Sequence, residues 1–300
     1  MAPAAAPFSQ VEVGKRYGKI DWQSGTNHGS GQGIGACITK VFVDEGAKVV
    51  CVDINAKLGQ SVCDKLGYKR DTFFRCDATN ELDMEKAIKA TIEKHGKLNI
   101  MINNAGIVDD PKRNILDNHL SDFERVMRVN VAGVFQGIKH AAQVMIPAKT
   151  GSIINLGSIS GSVGGITSHA YCSSKHAVVG FTKNAVAELG KHGISENCLS
   201  SYAVYSSLTK KFFDFEEGGP QKRAITSLEG VVLQQEDLPN AAVYMASDDA
   251  RFMSGHDLML DGGFTVTNPS FRLFSRFALL FGLHFLGKEI RIDSVVRVDE

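Results

Sequence analysis

No stretch of this chain reaches the roughly 18 consecutive apolar residues that a membrane-spanning helix needs, although 43% of its 300 residues are hydrophobic. There is no excess of charge of either sign. The 33 basic and 33 acidic side chains leave a formal net charge of zero, which gives no electrostatic footprint for nucleic acid. The six cysteines (Cys37, Cys51, Cys63, Cys76, Cys172 and Cys198) contain no C-x-x-C pair. That scatter argues against a zinc site or a disulfide framework and suits reduced thiols in a cytoplasmic protein. No Pro/Gly-rich linker and no internal repeat divides the chain, so a single domain is expected over residues 15–271. The Ala/Pro-rich start lacks the basic residues and apolar run of a signal peptide, and residues 1–14 read as a disordered lead-in.

What is present is an alternation of two periods. Short apolar runs at 48–52, 98–102, 151–156 and 257–260 read as buried strands. Between them, helical spacing runs over 35–45, 58–66, 81–95, 120–145, 171–189 and 235–246. Strands alternating with helices of this length predict βαβ units, and right-handed crossovers then give one doubly wound, Rossmann-type α/β domain. Its central parallel sheet carries helices on both faces.

The loop Gly29-Ser30-Gly31-Gln32-Gly33-Ile34-Gly35 has the spacing G-x-x-x-G-x-G and opens a helix near Ile34. Glycine is needed where a backbone turns with positive φ against a pyrophosphate, and the helix N-terminus behind it supplies N–H groups and partial positive charge. Asp53 ends the run Val49-Val50-Cys51-Val52, eighteen residues after Gly35, where a carboxylate accepts from ribose hydroxyls. It would repel a 2′-phosphate, and no Arg or Lys immediately follows it, so NAD is favoured over NADP. Asp77 follows Phe73-Phe74-Arg75-Cys76 at the next strand end, within reach of an adenine amino group.

Tyr171 and Lys175 lie four apart on a helical pattern, hence on one face. A free tyrosine is a poor base at neutral pH, and a neighbouring ammonium favours its phenolate. Lys175 could also hold the nicotinamide ribose. Ser158 precedes Tyr171 by thirteen residues, just past an apolar strand, and its hydroxyl can bond a substrate oxygen. Asn130 lies mid-helix, where asparagine is a poor former, so a water-binding role, a local break or a satisfied core amide all fit.

Together these residues make the chain resemble the short-chain dehydrogenase/reductase family over residues 15–271. The matching residues are the glycine loop, Asn103-Asn104-Ala105-Gly106, Asn130, Ser158, Tyr171 and Lys175. The resemblance implies that Asn130 anchors a proton-relay water, Ser158 orients the substrate oxygen, Tyr171 is the acid/base and Lys175 assists it. It also implies that Asn103, Asn104, Ala105 and Gly106 shape the cofactor site, and that Val204 and Ser206 meet the carboxamide. Three further segments resemble a plant branch holding secoisolariciresinol and xanthoxin dehydrogenases and momilactone A synthase: 139–147, 174–180 and 261–264. That branch implies oxidation of a secondary alcohol on an apolar lignan or terpenoid skeleton, and a homotetramer. A non-redox isomerase or cyclase retaining NAD, and an impaired pseudoenzyme, stand as alternatives. The stretch 208–215, with Phe212, Phe213 and Phe215, fits either a lid over the substrate or simple packing.

The sequence departs from that family in three places. Where the family has an apolar opening strand, this chain has Asp21, Gln23 and Asn27, which a strand buried on both faces should not carry. Counted from Gly18, the loop holds four extra residues before Gly33. Gly29, Gly33 and Gly35 are therefore taken as the phosphate glycines, with Gly25 as the alternative. Ser195 and Glu196 stand for Arg-Val, and Ser201 for Pro. A buried, unpaired Glu196 would be costly or would neutralise. Residues 272–300 extend beyond the resemblance and fit an interface helix, a membrane-surface segment or a gene-prediction artefact. Because the departures cluster in the cofactor half, NAD affinity or stability is expected to be below that of related chains. Calorimetric titration with NAD tests this, and ordinary micromolar binding would refute it.

Overall fold

A computed structural model describes residues 25–28 by their backbone, and residues 31–67, 72–110, 112, 114–204, 228 and 231–267 in full. The chain divides into residues 1–265 and 266–300. The expected lead-in, the stretch 208–215, Gly29, Ser206 and all but the first two residues of the second unit lie outside the described residues.

The first unit is built on a parallel sheet of β1 (Gly25–His28), β2 (Val49–Asp53), β3 (Phe73–Arg75), β4 (Ile100–Asn103), β5 (Gly151–Leu156), β6 (Ile194–Ser201) and β7 (Asp257–Leu260). Their order is β3-β2-β1-β4-β5-β6-β7. The winding direction reverses between β1 and β4, which places a crevice outside the carboxyl ends of those strands. Helices α1 (Gly33–Asp44), α2 (Ala56–Lys65), α3 (Glu81–His95), α4 (Leu120–Met127), α5 (Gly133–Ala148), α6 (His169–Leu189) and α7 (Asp237–Ala246) connect and cover the strands.

The runs Val49–Val52 of β2 and Ile100–Ile102 of β4 are apolar because both faces of the sheet are buried there. Successive residues point to opposite faces. In β2, Val49 and Cys51 join Ile38 and Phe42 of α1 and Leu238 of α7 in one core. Val50 and Val52 join Met84 of α3, Ile138 of α5 and Val178 of α6 in the other. The same alternation sends Ile100 and Ile102 one way and Met101 the other. Each such side chain contributes about 1.5–3 kcal/mol on burial. Asn55 caps α2 by accepting from Leu58 N at 3.1 Å, and Asn80 caps α3 by accepting from Asp83 N at 3.2 Å.

Two expectations change. The helix expected over 120–145 is α4 and α5 joined by a π-helical turn, Arg128–Ala132, with Asn130 at its centre. Of the readings open for Asn130, a local break is therefore present. The opening strand is the short Gly25–His28, paired in register with Val49–Val52 and Ile100–Asn103. Gly25 is thus a strand residue, which removes it as a phosphate-loop glycine. Asp21 and Gln23 lie outside the described residues.

Glu196 sits fully buried in β6. Its Oε1 accepts from Asn155 Nδ2 at 2.8 Å, while Oε2 has no hydrogen-bond partner among the described residues. Burial pushes its carboxyl from the ordinary 4.5 up to about 8, against a smaller lowering by the Asn155 hydrogen bond. The group is therefore neutral at pH 7, the second of the two outcomes the sequence allowed. Because the folded value is raised, the stability it contributes is complete below the unfolded value and is lost as pH rises through the folded one. Urea unfolding is expected to show a decline of roughly 2–5 kcal/mol between about pH 5 and about pH 8. Glu196→Val, of nearly equal volume, should flatten that decline, and an equally steep variant would refute the assignment.

Candidate active site

A cavity of about 410 Å³ opens at the carboxyl ends of the strands. From the first half of the sheet, Gly33, Ile34, Asp53 and Asp77 line it. Asn104, Ala105, Gly106 and Val204 enter it from the ends of β4 and β6. Ser158, Tyr171 and Lys175 complete the wall. The structure thus brings together most of the residues picked from the sequence. Gly35 is buried one step inside α1, where its carbonyl accepts from Thr39 Oγ1 at 3.0 Å. Asn103 is buried at the end of β4 and donates to Asn155 Oδ1 at 2.8 Å.

The cofactor end fits a dinucleotide. Gly33 has φ +55°, a conformation that side chains disfavour. Helix α1 begins there with no side-chain cap on Gln32 and no acidic residue in its first turn. Its leading N–H groups and dipole therefore suit an anion. The Asp53 carboxylate is held at the end of β2, with Oδ2 accepting from Gly31 N at 2.9 Å and Oδ1 from Asn55 N at 2.8 Å. Gly31 is the residue the sequence reading passed over. A Cβ there would lie 2.9 Å from Asp53 Oδ2 and 3.1 Å from Gly59 N, so a side chain at this position would crowd the carboxylate that the loop N–H reaches. The signal was present, a glycine inside the loop, but spacing alone does not say which glycine meets a residue 22 positions away. Asp77 Oδ1 accepts from both Thr79 N at 2.9 Å and Thr79 Oγ1 at 2.8 Å, which fixes its carboxyl at the cavity wall.

At the other end, Tyr171 and Lys175 lie one turn apart on α6 and both are buried. Ser158 opens the turn Ile159–Gly161 after β5. Its N–H donates to Ser200 Oγ at 3.1 Å, and its Oγ accepts from Ser160 N at 3.2 Å. A Cβ on Gly157 would meet Ser200 Oγ at 2.2 Å, so this turn sits directly against β6. Burial pushes the Tyr171 phenol up to about 12, opposed by a weaker lowering from its hydrogen bond with Ser158. Burial also pulls the Lys175 ammonium down to about 8, with the Cys198 thiol a smaller influence in the opposite sense. The expected depression of the phenol by Lys175 is not what this geometry does. Lys175 Nζ donates to Leu156 O at 2.7 Å and stands 5.5 Å from the Tyr171 ring centroid, and desolvation is what sets the direction of the phenol's shift.

Asn130 does not line the cavity. Its amide holds Ile107 from both sides, with Oδ1 accepting from Ile107 N at 2.8 Å and Nδ2 donating to Ile107 O at 2.9 Å. Nδ2 also donates to Ser174 Oγ at 3.0 Å.

Known proteins are similar to this chain over most of its length. The model of a family described as enoyl-(acyl carrier protein) reductase matches residues 29–265. Secoisolariciresinol dehydrogenase of Forsythia intermedia is 46% identical over 249 residues, covering 82% of this chain and 90% of that protein. For (+)-borneol dehydrogenase 2 of Salvia officinalis the identity is 47% over 255 residues, with 82% and 90% covered. For xanthoxin dehydrogenase of Arabidopsis thaliana it is 44% over 258 residues, again with 82% and 90% covered. The crystal structure of gox2181 superposes with a TM-score of 0.73 at 25% identity, over 83% of this chain and 97% of that one. With the family model matching residues 29–265 and relatives 46% and 47% identical over 82% of the chain, the chain belongs to the short-chain dehydrogenase/reductase family.

Proposed function

We propose that the protein interconverts a secondary alcohol and a ketone on an apolar, lignan- or terpenoid-like skeleton, with NAD as the cofactor. The observation that supports this most is one cavity that holds Ser158, Tyr171 and Lys175 together with the Gly33 turn and Asp53. NAD, when bound, supplies the hydride acceptor. Gly29, Gly33, Ile34 and Gly35 would hold its pyrophosphate, Asp53 the adenosine ribose and Asp77 the adenine. Asn104, Ala105 and Gly106 would shape the adjoining wall, Val204 and Ser206 would meet the carboxamide, and Tyr171 and Lys175 the second ribose.

In this reading Tyr171 removes the proton of the alcohol oxygen and Ser158 holds that oxygen in place. Lys175 supplies positive charge beside the phenol once its Nζ turns from Leu156 O. Because the Asn130 amide is committed to Ile107 and Ser174, its main-chain carbonyl is the group left to carry a relay water. The substrate skeleton would lie against Leu156, Ile159, Ile166 and Tyr202, which give the cavity apolar walls. The names of the borneol and secoisolariciresinol relatives fit such a substrate. The reading includes a cytoplasmic homotetramer, checked by sedimentation. Among the described residues no helix is long and apolar enough to cross a membrane.

Three outcomes follow from these roles. Tyr171→Phe should lower kcat for oxidation of borneol, followed by NADH absorbance, by about 10²–10⁴-fold while NAD still binds. A variant that kept most of its rate would remove Tyr171 as the acid/base. Since burial keeps the free phenol protonated up to about 12, kcat/KM for oxidation should climb from neutral to alkaline pH, and a flat profile would contradict a tyrosine base. Wild type should prefer NAD over NADP, and Asp53→Ala should shrink the ratio of kcat/KM values by roughly tenfold or more, in line with loss of a charge-assisted contact and of repulsion. An unchanged ratio would dismiss Asp53 as the selector.

A further inference from the structure

Tyr171 is held through its own peptide groups as well as through its ring. Its N–H belongs to the first turn of α6 and donates to Ser168 Oγ at 3.2 Å. Its carbonyl accepts from Ser174 Oγ at 2.7 Å. The two serines flank it three residues away on either side, and both are buried. A serine hydroxyl has one proton and two lone pairs, so what it can offer Tyr171 depends on what else it touches. The Ser168 hydroxyl donates its proton to Asp109 Oδ1, which leaves its lone pairs for the Tyr171 N–H. The Ser174 hydroxyl accepts from Asn130 Nδ2 at 3.0 Å, which leaves its proton for the Tyr171 carbonyl.

Both routes lead to one short segment. Asn130 grips the N–H and carbonyl of Ile107, and Asp109 lies two residues further on. Asp109 is itself only 3% exposed, so its bond to Ser168 is sheltered from water. Ile107 directly follows Gly106 at the cavity wall. On the far side, Thr167 precedes Ser168, lines the same cavity and donates to Ser160 Oγ at 3.0 Å.

We infer that Asp109, acting through Ser168, is a positioning residue that sets the catalytic tyrosine against the segment following Gly106. The inference rests on the reading of Tyr171 as the acid/base. Asp109 orients the one hydroxyl that anchors the start of α6, and Asn130 with Ser174 anchors it one turn later. The result is a two-sided clamp on a single residue. Without Asp109 the buried Ser168 hydroxyl is free to rotate, and its hold on the Tyr171 N–H weakens. A shift of the phenol by a fraction of its distance to the substrate oxygen is enough to slow the reaction strongly.

The test compares Asp109→Ala, Asp109→Asn and Ser168→Ala in the full chain, with NAD and borneol as probes and hydrogen exchange as a second readout. Asp109→Ala should lower kcat by roughly tenfold to a hundredfold, with KM for NAD changed by less than about threefold, as expected for a misplaced catalytic group. Amide exchange at Tyr171 should quicken by about tenfold or more, since the loss of a protecting bond is read there directly. Asp109→Asn keeps a carbonyl oxygen for the Ser168 hydroxyl and should recover most of both losses, which a general packing defect would not. Ser168→Ala deletes the hydroxyl itself, should reproduce the exchange change, and serves if Asp109→Ala does not fold. Wild-type exchange at Tyr171 in Asp109→Ala or Ser168→Ala, or equal loss of kcat in Asp109→Ala and Asp109→Asn, would overturn the inference. Exchange reads the clamp without turnover, so an active Tyr171→Phe variant would overturn only the assignment of the base.

Discussion

The amide of Asn155 is the joint on which the working end of this sheet depends. It is fully buried, in a strand with neighbours on both edges. Its Oδ1 accepts from Asn103 Nδ2 at 2.8 Å, and its Nδ2 donates to Thr182 Oγ1 at 2.9 Å and to Glu196 Oε1 at 2.8 Å. One side chain therefore ties β4, β5, β6 and α6 together. In a core of this kind an unmet polar group costs about 1–3 kcal/mol, so Asn155 and its three partners are held as a set. Beyond the strand ends lie Asn104, Ala105 and Gly106 after β4, Ser158 after β5 and Val204 after β6, with Tyr171 and Lys175 on α6. The tie joins the elements that carry these groups.

Above the tie, the dominant electrostatic influence is burial. It drives the Tyr171 phenol up and the Lys175 ammonium down, toward the uncharged form of each. The two shifts widen the gap against transfer of the tyrosine proton. With Lys175 turned to the Leu156 carbonyl, the free protein keeps its phenol protonated. On the proposed reading Tyr171 would therefore act as a base only in the assembled complex, once the Lys175 ammonium faces the phenol. On that reading positioning matters because the protein supplies a fixed, buried location, and reactivity would arise when the remaining charges arrive in it.

Much of the fold was legible because buried parallel strands announce themselves as apolar runs and the helices between them have clear spacing. The strand Gly151–Leu156 and the helix Glu81–His95 stand where the pattern placed them. The opening strand was not legible in this way. Gly25-Thr26-Asn27-His28 has no strand signature of its own, and its state comes from pairing with β2 and β4, far away in sequence. The proposed catalytic residues were legible as a local pattern, Tyr171 and Lys175 on one helical face, with Ser158 just past a strand end. The direction of the lysine ammonium was not, since the competing acceptor is a backbone carbonyl 19 residues earlier. Gly31 and Asp109 escaped for the same reason: each matters through a partner, Asp53 or Ser168, that only the folded chain brings near.

The polar residues of β6 show how departures from an apolar pattern are absorbed. Asn197 donates to Met253 O at 2.9 Å and accepts from His256 N at 3.0 Å, which binds β6 to the segment entering β7. Ser200 accepts from the Ser158 N–H and packs under Gly157. Glu196 joins the Asn155 tie in its neutral form. Each polar side chain replaces non-directional packing with a directional bond, and in two cases the bond supports a group needed above it. The strand thereby loses part of its hydrophobic stabilisation but gains geometry, because a hydrogen bond specifies an orientation that an apolar contact does not. The catalytic turn inherits that orientation: Ser158 is fixed from below by Ser200 and from its own turn by Ser160, before any substrate oxygen reaches it.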